Sequence, residues 1–303
     1  VTGVPKLHDD EVEIDSAVVE RLLAEQFPRW AGLPVQVVER SGTDNVTFRV
    51  GDDLAVRLPR TSRNVGQVEM DLEWMPRLAP HVSLPIPEPL ELGQPAEFYP
   101  FTWGVYRWLP GAPFTPSSVD RTHAARELAG FVRTLREVDT TGAPVPDDDP
   151  FTRGTPLAPR DEMFREALDQ LRDHFDTGRV LAAWEESLAA DTWDGTPRWI
   201  HGDLMSGNVL VADGKLSAVI DIGTARAADP AGDVLPAWWL FEGESRKAYR
   251  EALEVDDATW LRARGWALSL VIIAIPYYMG RSPNTLRNGQ DSVADILTDF
   301  TAH

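Results

Sequence analysis

In the stretch 201–223 two carboxylates and an amide come in an order that suits a hard divalent cation and the phosphate oxygens it carries. His201-Gly202-Asp203 is followed after four residues by Asn208, and a short β-rich run leads on to Ala212-Asp213-Gly214-Lys215, a hairpin turn signal. The return run at 216–220 closes on Asp221-Ile222-Gly223. A hairpin about that turn brings Asn208 near the 218–221 end of its partner, so one loop and one hairpin gather Asp203, Asn208 and Asp221. Carboxylate and amide oxygens suit Mg²⁺ or a similar cation that keeps water and phosphate as its other ligands. Other chemistries are poorly provided for. The six histidines (8, 81, 123, 174, 201 and 303) have no HExxH-type spacing, which makes His201 a structural residue rather than a metal ligand. Ser206 lacks the Gly-x-Ser-x-Gly frame of a nucleophile elbow. The chain has no cysteine, which excludes a disulfide scaffold, a thiolate zinc site and a cysteine nucleophile.

The elements that must carry these residues follow from periodicity. Short β-rich runs at 35–39, 46–50 and 54–58 are separated by Ser41-Gly42-Thr43-Asp44 and by Gly51-Asp52-Asp53. Between 64 and 79 the period becomes helical, with Val68, Leu72, Met75 and Ala79 on one face and Glu69, Glu73 and Arg77 on a charged one. A Pro-rich passage (LPIPEPLELGQP) ends that helix, and WGVYRWL at 103–109 reads as one more buried strand, broken by Pro110-Gly111. Beyond it the chain is mostly helical. Asp120 caps a helix whose face runs Ala124, Leu128, Phe131, Leu135 and Val138. The passage 139–159 is a long surface loop, helices follow at 162–175 and 180–190, and after a β island at 199–222 the remainder is helical. The longest apolar run, 266–279, contains Pro276 and falls short of the ~18–20 residues of a spanning helix, so a buried core helix is expected there. The first fifteen residues are polar and acidic, unlike a signal peptide, and the expected setting is cytoplasmic, without a membrane. The fold class is α+β: a small β-rich part with one helix, 1–108, then a larger helical part, 109–303, with a hinge about 104–110.

The ordering His-Gly-Asp, four residues, Asn, then Ile-Asp-x-Gly, with Asp229-Pro230-Ala231-Gly232-Asp233 downstream, resembles the catalytic loop and metal-binding aspartate of the aminoglycoside phosphotransferase family. The resemblance extends over nearly the whole chain and implies that family's bilobal, protein-kinase-like fold. It implies Asp203 as the catalytic residue that accepts or orients the proton of a substrate hydroxyl, and Asn208 and Asp221 as the holders of Mg²⁺ against the nucleotide phosphates. Ser41-Gly42-Thr43-Asp44-Asn45 stands where the family has its nucleotide-covering loop, which assigns Ser41, Gly42 and Asn45 to the nucleotide. Leu54-Ala55-Val56-Arg57-Leu58 occupies the place of the V-A-I-K strand, with Arg57 where lysine is usual. Arginine keeps the charge and can hold phosphate oxygens bidentately. The lysine's usual partner is a helix glutamate. Here Asp71 lies on the inward side between Val68 and Met75, and a shorter acid opposite a longer base keeps the pair's reach; Glu69 is the second choice. Backbone groups of Arg107 and Leu109 would meet the purine, and Asp233 is expected to anchor a helix or loop.

The implied activity is transfer of the γ-phosphate of ATP or GTP to a hydroxyl of a small molecule. Antibiotics (aminoglycosides, macrolides or cationic peptides) are the leading acceptors, inactivated by the modification. A metabolic kinase for choline, homoserine or methylthioribose is the alternative on the same fold. A nucleotide-binding pseudokinase is motivated by Arg57 alone, and the intact Asp203, Asn208 and Asp221 stand against it. Net charge is −19, from 29 Lys+Arg and 48 Asp+Glu, which argues against a nucleic-acid partner. It suits either a cationic acceptor or mere solubility. Two sets of residues beyond 237 bear on the acceptor. Glu242, Glu244, Glu251, Glu254, Asp256 and Asp257 would suit a polycation; Trp238, Trp239, Phe241, Trp260, Trp266, Tyr277 and Tyr278 would suit a macrolide or a quaternary ammonium.

Overall fold

Alternating apolar residues along 45–58 and 103–107 build a sheet with one buried apolar face and one face that carries charge. The computed structural model describes residues 11–38, 45–62, 66–147, 149–279 and 284–300. The chain divides into two compact units, Val1–Ala112 with Ser217–Gly223, and Pro113–Leu216 with Thr224–His303.

The first unit begins with helix α1 (Ser16–Gln26), whose Asp15 cap accepts from the Val18 N–H at 2.9 Å. Strands β1 (Val35–Val37), β2 (Asn45–Val50) and β3 (Leu54–Pro59) follow, then helix α2 (Gln67–Leu78) and strands β4 (Pro89–Gly93) and β5 (Trp103–Arg107). All pairings are antiparallel, in the order β1-β2-β3-β5-β4. Val46, Phe48, Val50, Val56, Leu58, Trp103 and Val105 are all fully buried and form one core cluster with Val19, Leu22 and Leu23 of α1. Each such side chain taken from water contributes roughly 1.5–3 kcal/mol. Two elements here depart from the sequence expectation of a single helix followed by a proline-rich terminator. Helix α1 lies in a stretch, 16–26, to which the sequence reading assigned no element, and β4 forms within the Pro-rich passage, where a register shift between Pro89 and Glu91 accommodates proline at a sheet edge.

On the other face of the sheet, Arg57 is paired across the ladder with Gly104, and Tyr106 stands two residues on from Gly104 along β5. A Cβ on Gly104 would lie 2.5 Å from the Tyr106 ring, so the missing side chain is what lets ring and guanidinium share that face. Helix α2 covers it with Val68, Asp71, Trp74, Met75 and Leu78, which are buried. The face is turned from the expected one: Trp74 replaces Leu72, and Ala79 is exposed. Helical spacing alone could not choose between the two overlapping stripes, but bulky Trp74 wins the core.

The second unit is helical around two short β segments. Strand β6 (Ala112–Pro113) leads into α3 (Arg121–Arg136), α4 (Asp161–Gln170) and α5 (Thr177–Ala189). Strands β7 (Arg198–Ile200), β8 (Val209–Ala212), β9 (Lys215–Val219) and β10 (Arg226–Ala228) precede helices α6 (Pro236–Trp239), α7 (Gly243–Leu253), α8 (Asp257–Tyr278) and α9 (Thr285–Ile296). Between β8 and β9 the chain reverses through Asp213 and Gly214, both at positive φ (51° and 76°), as a two-residue Asp-Gly turn requires. Along β9 it re-enters the first unit. The expected cap Asp120 accepts from the Thr122 and His123 N–H groups of α3.

The expected core helix is longer than its apolar run. By length and composition α8 could cross a membrane, and 67% of its most apolar window is buried within the protein. It also carries buried arginines: Arg262 pairs with Asp229 at 2.7 Å, and Arg264 with Glu186 and the Ala183 carbonyl. The role of Gly104 yields a prediction. Gly104→Ala should lower stability by roughly 1–3 kcal/mol in urea unfolding, since the Tyr106 ring must move and overpacked sheets cannot absorb it.

Candidate active site

In the first unit one cation meets three acidic or phenolic groups. Arg57 donates through Nη2 to Asp221 Oδ1 at 2.7 Å, and its Nη1 lies 3.9 Å from Asp71 Oδ2. Asp71 is buried to 3% side-chain exposure and accepts from the Tyr106 hydroxyl at 2.6 Å. Burial pushes the Asp71 carboxyl up to about 6, against the opposing pull of Arg57 and the Tyr106 bond. Burial works against the Arg57 charge too, but Asp221, Tyr106 and Asp71 outweigh it and raise its proton affinity. Asp221 itself sits at φ 65°, in the left-handed region, and its carboxylate is one-third exposed. Arg57 thus lies against Asp71, and Glu69 is on the exposed side of α2.

The remaining nucleotide assignments of this unit differ in kind. Ser41 and Gly42 lie outside the described residues. Asn45 opens β2, is buried, and donates its amide to Gln67 Oε1 at 3.0 Å. The Arg107 N–H is already donated to the Glu88 carbonyl at 2.9 Å, and its guanidinium pairs with Glu88 as well. No backbone hydrogen bond among the described residues involves Leu109.

In the second unit a buried aspartate organises the loop that presents Asp203. The Asp233 carboxylate accepts the N–H groups of His201 at 2.7 Å and of Gly202 at 2.8 Å, while the Tyr249 hydroxyl donates to the Asp233 carbonyl at 2.7 Å. Burial raises the Asp233 carboxyl, opposed by His201 and those two N–H groups. Gly202 turns at φ 80°, and the Asp203 N–H comes back onto His201 Nδ1 at 3.1 Å. That bond leaves Nδ1 as an acceptor, so a neutral ring carries its proton on Nε2. His201 is fully buried and structural, and Asp233 is an anchor, as the sequence implies.

Asp203 is half-buried and both its oxygens are engaged. Arg153 Nη1 lies 2.8 Å from Oδ1. Asn208 Nδ2 donates to Oδ2 at 3.0 Å and to the Asp203 carbonyl at 2.8 Å. Those two bonds fix the amide orientation, so Asn208 turns its Oδ1 away from the carboxylate and presents a neutral oxygen. Asp221 likewise keeps Oδ2 without a hydrogen bond among the described residues. Oxygens of this kind fit Mg²⁺, which takes one or two protein ligands and fills its octahedron with water and phosphate. Among the described residues no group of three or more His, Cys, Asp or Glu side chains is arranged around a metal position.

Two participants were not identified from sequence. Tyr106 gave no sign beyond being an aromatic on a strand, and Arg153 lies in the long loop, fifty residues before Asp203, with no spacing to connect them. The acids and aromatics considered for the acceptor prove to be largely committed. Glu242 pairs with Arg121, Glu254 with Arg133 at 2.8 Å, Asp257 with Arg250 at 2.6 Å, and Asp256 caps α8. Trp238, Phe241, Trp260 and Trp266 are buried, while Tyr277 and Tyr278 are exposed.

The fold and the Asp203 loop define a kinase-like phosphotransferase. A model of the phosphotransferase enzyme family matches residues 36–266, and the chain belongs to that family. No protein of curated function matches it in sequence. Solved structures are similar throughout. The GDP and kanamycin complex of APH(2″)-IIIa superposes with TM-score 0.72 at 18% identity, covering 94% of this chain and 100% of that one. A thermostable mutant of aminoglycoside phosphotransferase APH(4)-Ia, with AMP-PNP and hygromycin B, gives 0.63 at 18% identity, with 95% and 100% covered. The macrolide 2′-phosphotransferase MphH from Brachybacterium faecium gives 0.59 at 20% identity, with 95% and 98% covered. These likenesses establish the α+β, kinase-like fold.

Two measurements test the electrostatics just described. The folded state binds the Asp71 proton more tightly than the unfolded chain, so this group favours folding most below about pH 4 and loses that contribution as pH rises through 6. Asp71→Asn abolishes the titration. Its stability relative to the parent should improve by on the order of 2–3 kcal/mol between pH 4 and pH 7 in urea unfolding. Asp233→Ala strips the acceptor from two buried N–H groups and should cost about 2–5 kcal/mol by the same measurement.

Proposed function

We propose that the chain transfers the γ-phosphoryl group of ATP or GTP to a hydroxyl of a small molecule, and that an antibiotic is the acceptor. The observation that carries this is the Asp203 loop: a carboxylate held by a buried anchor, beside an amide whose oxygen is turned outward. Family membership supplies the reaction class. Asp203 takes or orients the hydroxyl proton. Asn208 and Asp221 would hold Mg²⁺, which when bound neutralises phosphate charge and fixes the phosphates in place. Arg57, backed by Asp71, faces the phosphates with a fork that can bind two oxygens at once. Leu109 offers its backbone to the purine, and Ser41, Gly42 and Asn45 belong to the covering segment. The chain itself does little covalent chemistry beyond positioning and charge compensation. A nucleotide donor and a cysteine-free chain suit a cytoplasmic setting.

Antibiotic acceptors are favoured because the similar structures include complexes with kanamycin and with hygromycin B and a macrolide 2′-phosphotransferase. A cationic acceptor is compatible with the net charge of −19. The second reading is a kinase for a small metabolic alcohol on the same fold. The test is nucleotide consumption with Mg²⁺ across aminoglycosides, macrolides, cationic peptide antibiotics and choline, each repeated with Asp203→Asn. Turnover with at least one acceptor is expected, and the variant should lose about 10²–10⁴-fold in kcat. Turnover that survives Asp203→Asn contradicts the mechanism, and nucleotide binding without any turnover points to a pseudokinase. For a low-charge acceptor kcat/KM should be flat with added salt; a steep fall identifies a polycation.

A further inference from the structure

Phosphoryl transfer spreads negative charge over the oxygens of the moving group, and the segment that presents Asp203 has no cation able to meet it. Residues 201–208 are His, Gly, Asp, Leu, Met, Ser, Gly and Asn, and the one basic side chain among them, His201, is fully buried with Nδ1 accepting the Asp203 N–H. The cation at this carboxylate comes from elsewhere. Arg153 approaches Asp203 Oδ1 to 2.8 Å with a guanidinium one-quarter exposed, and Asp203 is its partner among the described residues. The other N–H groups of its fork have no hydrogen-bond partner among the described residues.

The backbone that carries Arg153 is fixed more firmly than its position in a long loop suggests. Gly154 follows at φ 87°, so close to the β7–β10 pair that a Cβ would lie 2.6 Å from Ala228 Cβ and 2.9 Å from Ile200 Cδ1. The Asp229 N–H donates to the Gly154 carbonyl at 3.3 Å, and Trp266 Nε1 of α8 donates to the Thr155 carbonyl at 3.1 Å. The strand that this glycine touches, β7, leads straight into His201-Gly202-Asp203. Guanidinium and carboxylate are therefore mounted on one small scaffold. Two further arginines surround it: burial, then the charge of Arg153, lowers the proton affinity of Arg160 to about 10, and burial together with Arg153 lowers that of Arg226, opposed by Asp147. Asp203 is the acid that Arg153 meets at ion-pair distance.

We propose that Arg153 is a further catalytic residue, whose guanidinium contacts the oxygens of the transferring phosphoryl group while Asp203 receives the acceptor's proton. The inference rests on the phosphotransferase reading above. In the step, the acceptor oxygen bonds to the γ-phosphorus and the bond from that phosphorus to the β,γ-bridging oxygen breaks. The bridging oxygen leaves on the nucleoside diphosphate with the electron pair, and the hydroxyl proton passes to Asp203. The unengaged N–H groups of the Arg153 fork then face the phosphoryl oxygens as negative charge gathers on them. An arginine supplied to a phosphoryl group in this way is worth 10³-fold or more in other phosphotransfer sites.

The test uses the full chain, its parent and the variants Arg153→Ala and Arg153→Lys, with the acceptor that turns over best. Arg153→Ala should lower kcat about 10²–10³-fold while the KM values for nucleotide and acceptor stay within about threefold. Arg153→Lys should recover part of the loss, and added guanidinium ion should partly restore Arg153→Ala but not Asp203→Asn. A second measurement needs no acceptor: with Mg²⁺ and aluminium fluoride, a planar phosphoryl mimic, the parent should bind ADP or GDP more tightly than without fluoride. Arg153→Ala should lose at least tenfold of that gain and bind the diphosphate alone unchanged. Unchanged kcat and fluoride gain, a loss confined to KM, or faster turnover in Arg153→Ala would each overturn the proposal, the last identifying Arg153 as a latch on Asp203. If the phosphotransferase reading itself is wrong, the parent shows neither turnover nor fluoride gain, a result distinct from any of these.

Discussion

The carboxylate of Asp233, buried without exposure to solvent, receives two consecutive backbone N–H groups, those of His201 and Gly202. A buried carboxylate is costly unless hydrogen-bonded, and a buried N–H unpaired costs about 1–3 kcal/mol, so each party to this contact needs the other. The loop geometry follows from it. With both N–H groups directed at Asp233, Gly202 must reverse the chain at positive φ, and the next N–H falls on His201 Nδ1. Asp203 is then presented with its carboxylate outward, and Asn208 closes the loop by donating to both the carbonyl and the carboxylate of the same residue. Tyr249 of α7 and the Asp229–Arg262 pair tie the 229–233 segment to the helical layer, so the placement of one reactive carboxylate is set by helices remote from it in sequence.

The first unit solves a related problem with an arginine. A lysine is a point charge with a flexible stem, whereas a guanidinium can address two acids from one rigid plane. Arg57 does so, with Nη2 on Asp221 and Nη1 toward Asp71. Its extra bulk is accommodated by Gly104 opposite it on the ladder and by the short side chain of Asp71, which leaves room for the Tyr106 hydroxyl to satisfy the carboxylate. Arg57 is thus met by three neighbouring residues of compatible size and polarity, Gly104, Asp71 and Tyr106.

These details mark the boundary of what was legible in the sequence. Strands β2, β3 and β5, the Asp120 cap and the Asp-Gly turn were readable because each depends on contacts within a few residues: alternation, a capping side chain, a positive-φ dipeptide. The Asp203 loop was readable through the order of its motif, although the contacts that shape it reach Asp233, about thirty residues away. The inward position of Asp71 was readable from helical spacing, but the choice of Trp74 over Leu72 for the buried stripe was not, since both sit at acceptable spacing and packing decides. Helix α1 had its signals, Asp15 before Val18, Val19, Leu22 and Leu23, but their apolar face is short and was assigned no element. Tyr106 and Arg153 had none. Their partners lie 35 and 50 residues away, and only the folded chain brings a phenol to one carboxylate and a guanidinium to the other.

The same distribution gives the net charge of −19 a different meaning. Long-range field and local field need not share a sign, because opposite charges a few ångströms away outweigh screened charges beyond about 8–10 Å. Of the acids around α7 and the start of α8, Glu242, Glu254 and Asp257 are matched by Arg121, Arg133 and Arg250. Arginines, meanwhile, stand beside the functional carboxylates of each unit: Arg57 at Asp221, and Arg153 at Asp203 with Arg160 and Arg226 behind it. Each unit thus holds local positive charge beside an acid within an acidic protein. The surplus acidity is left to govern solubility and the approach of partners from a distance, while selection among acceptors falls to shape and to the few groups in direct contact.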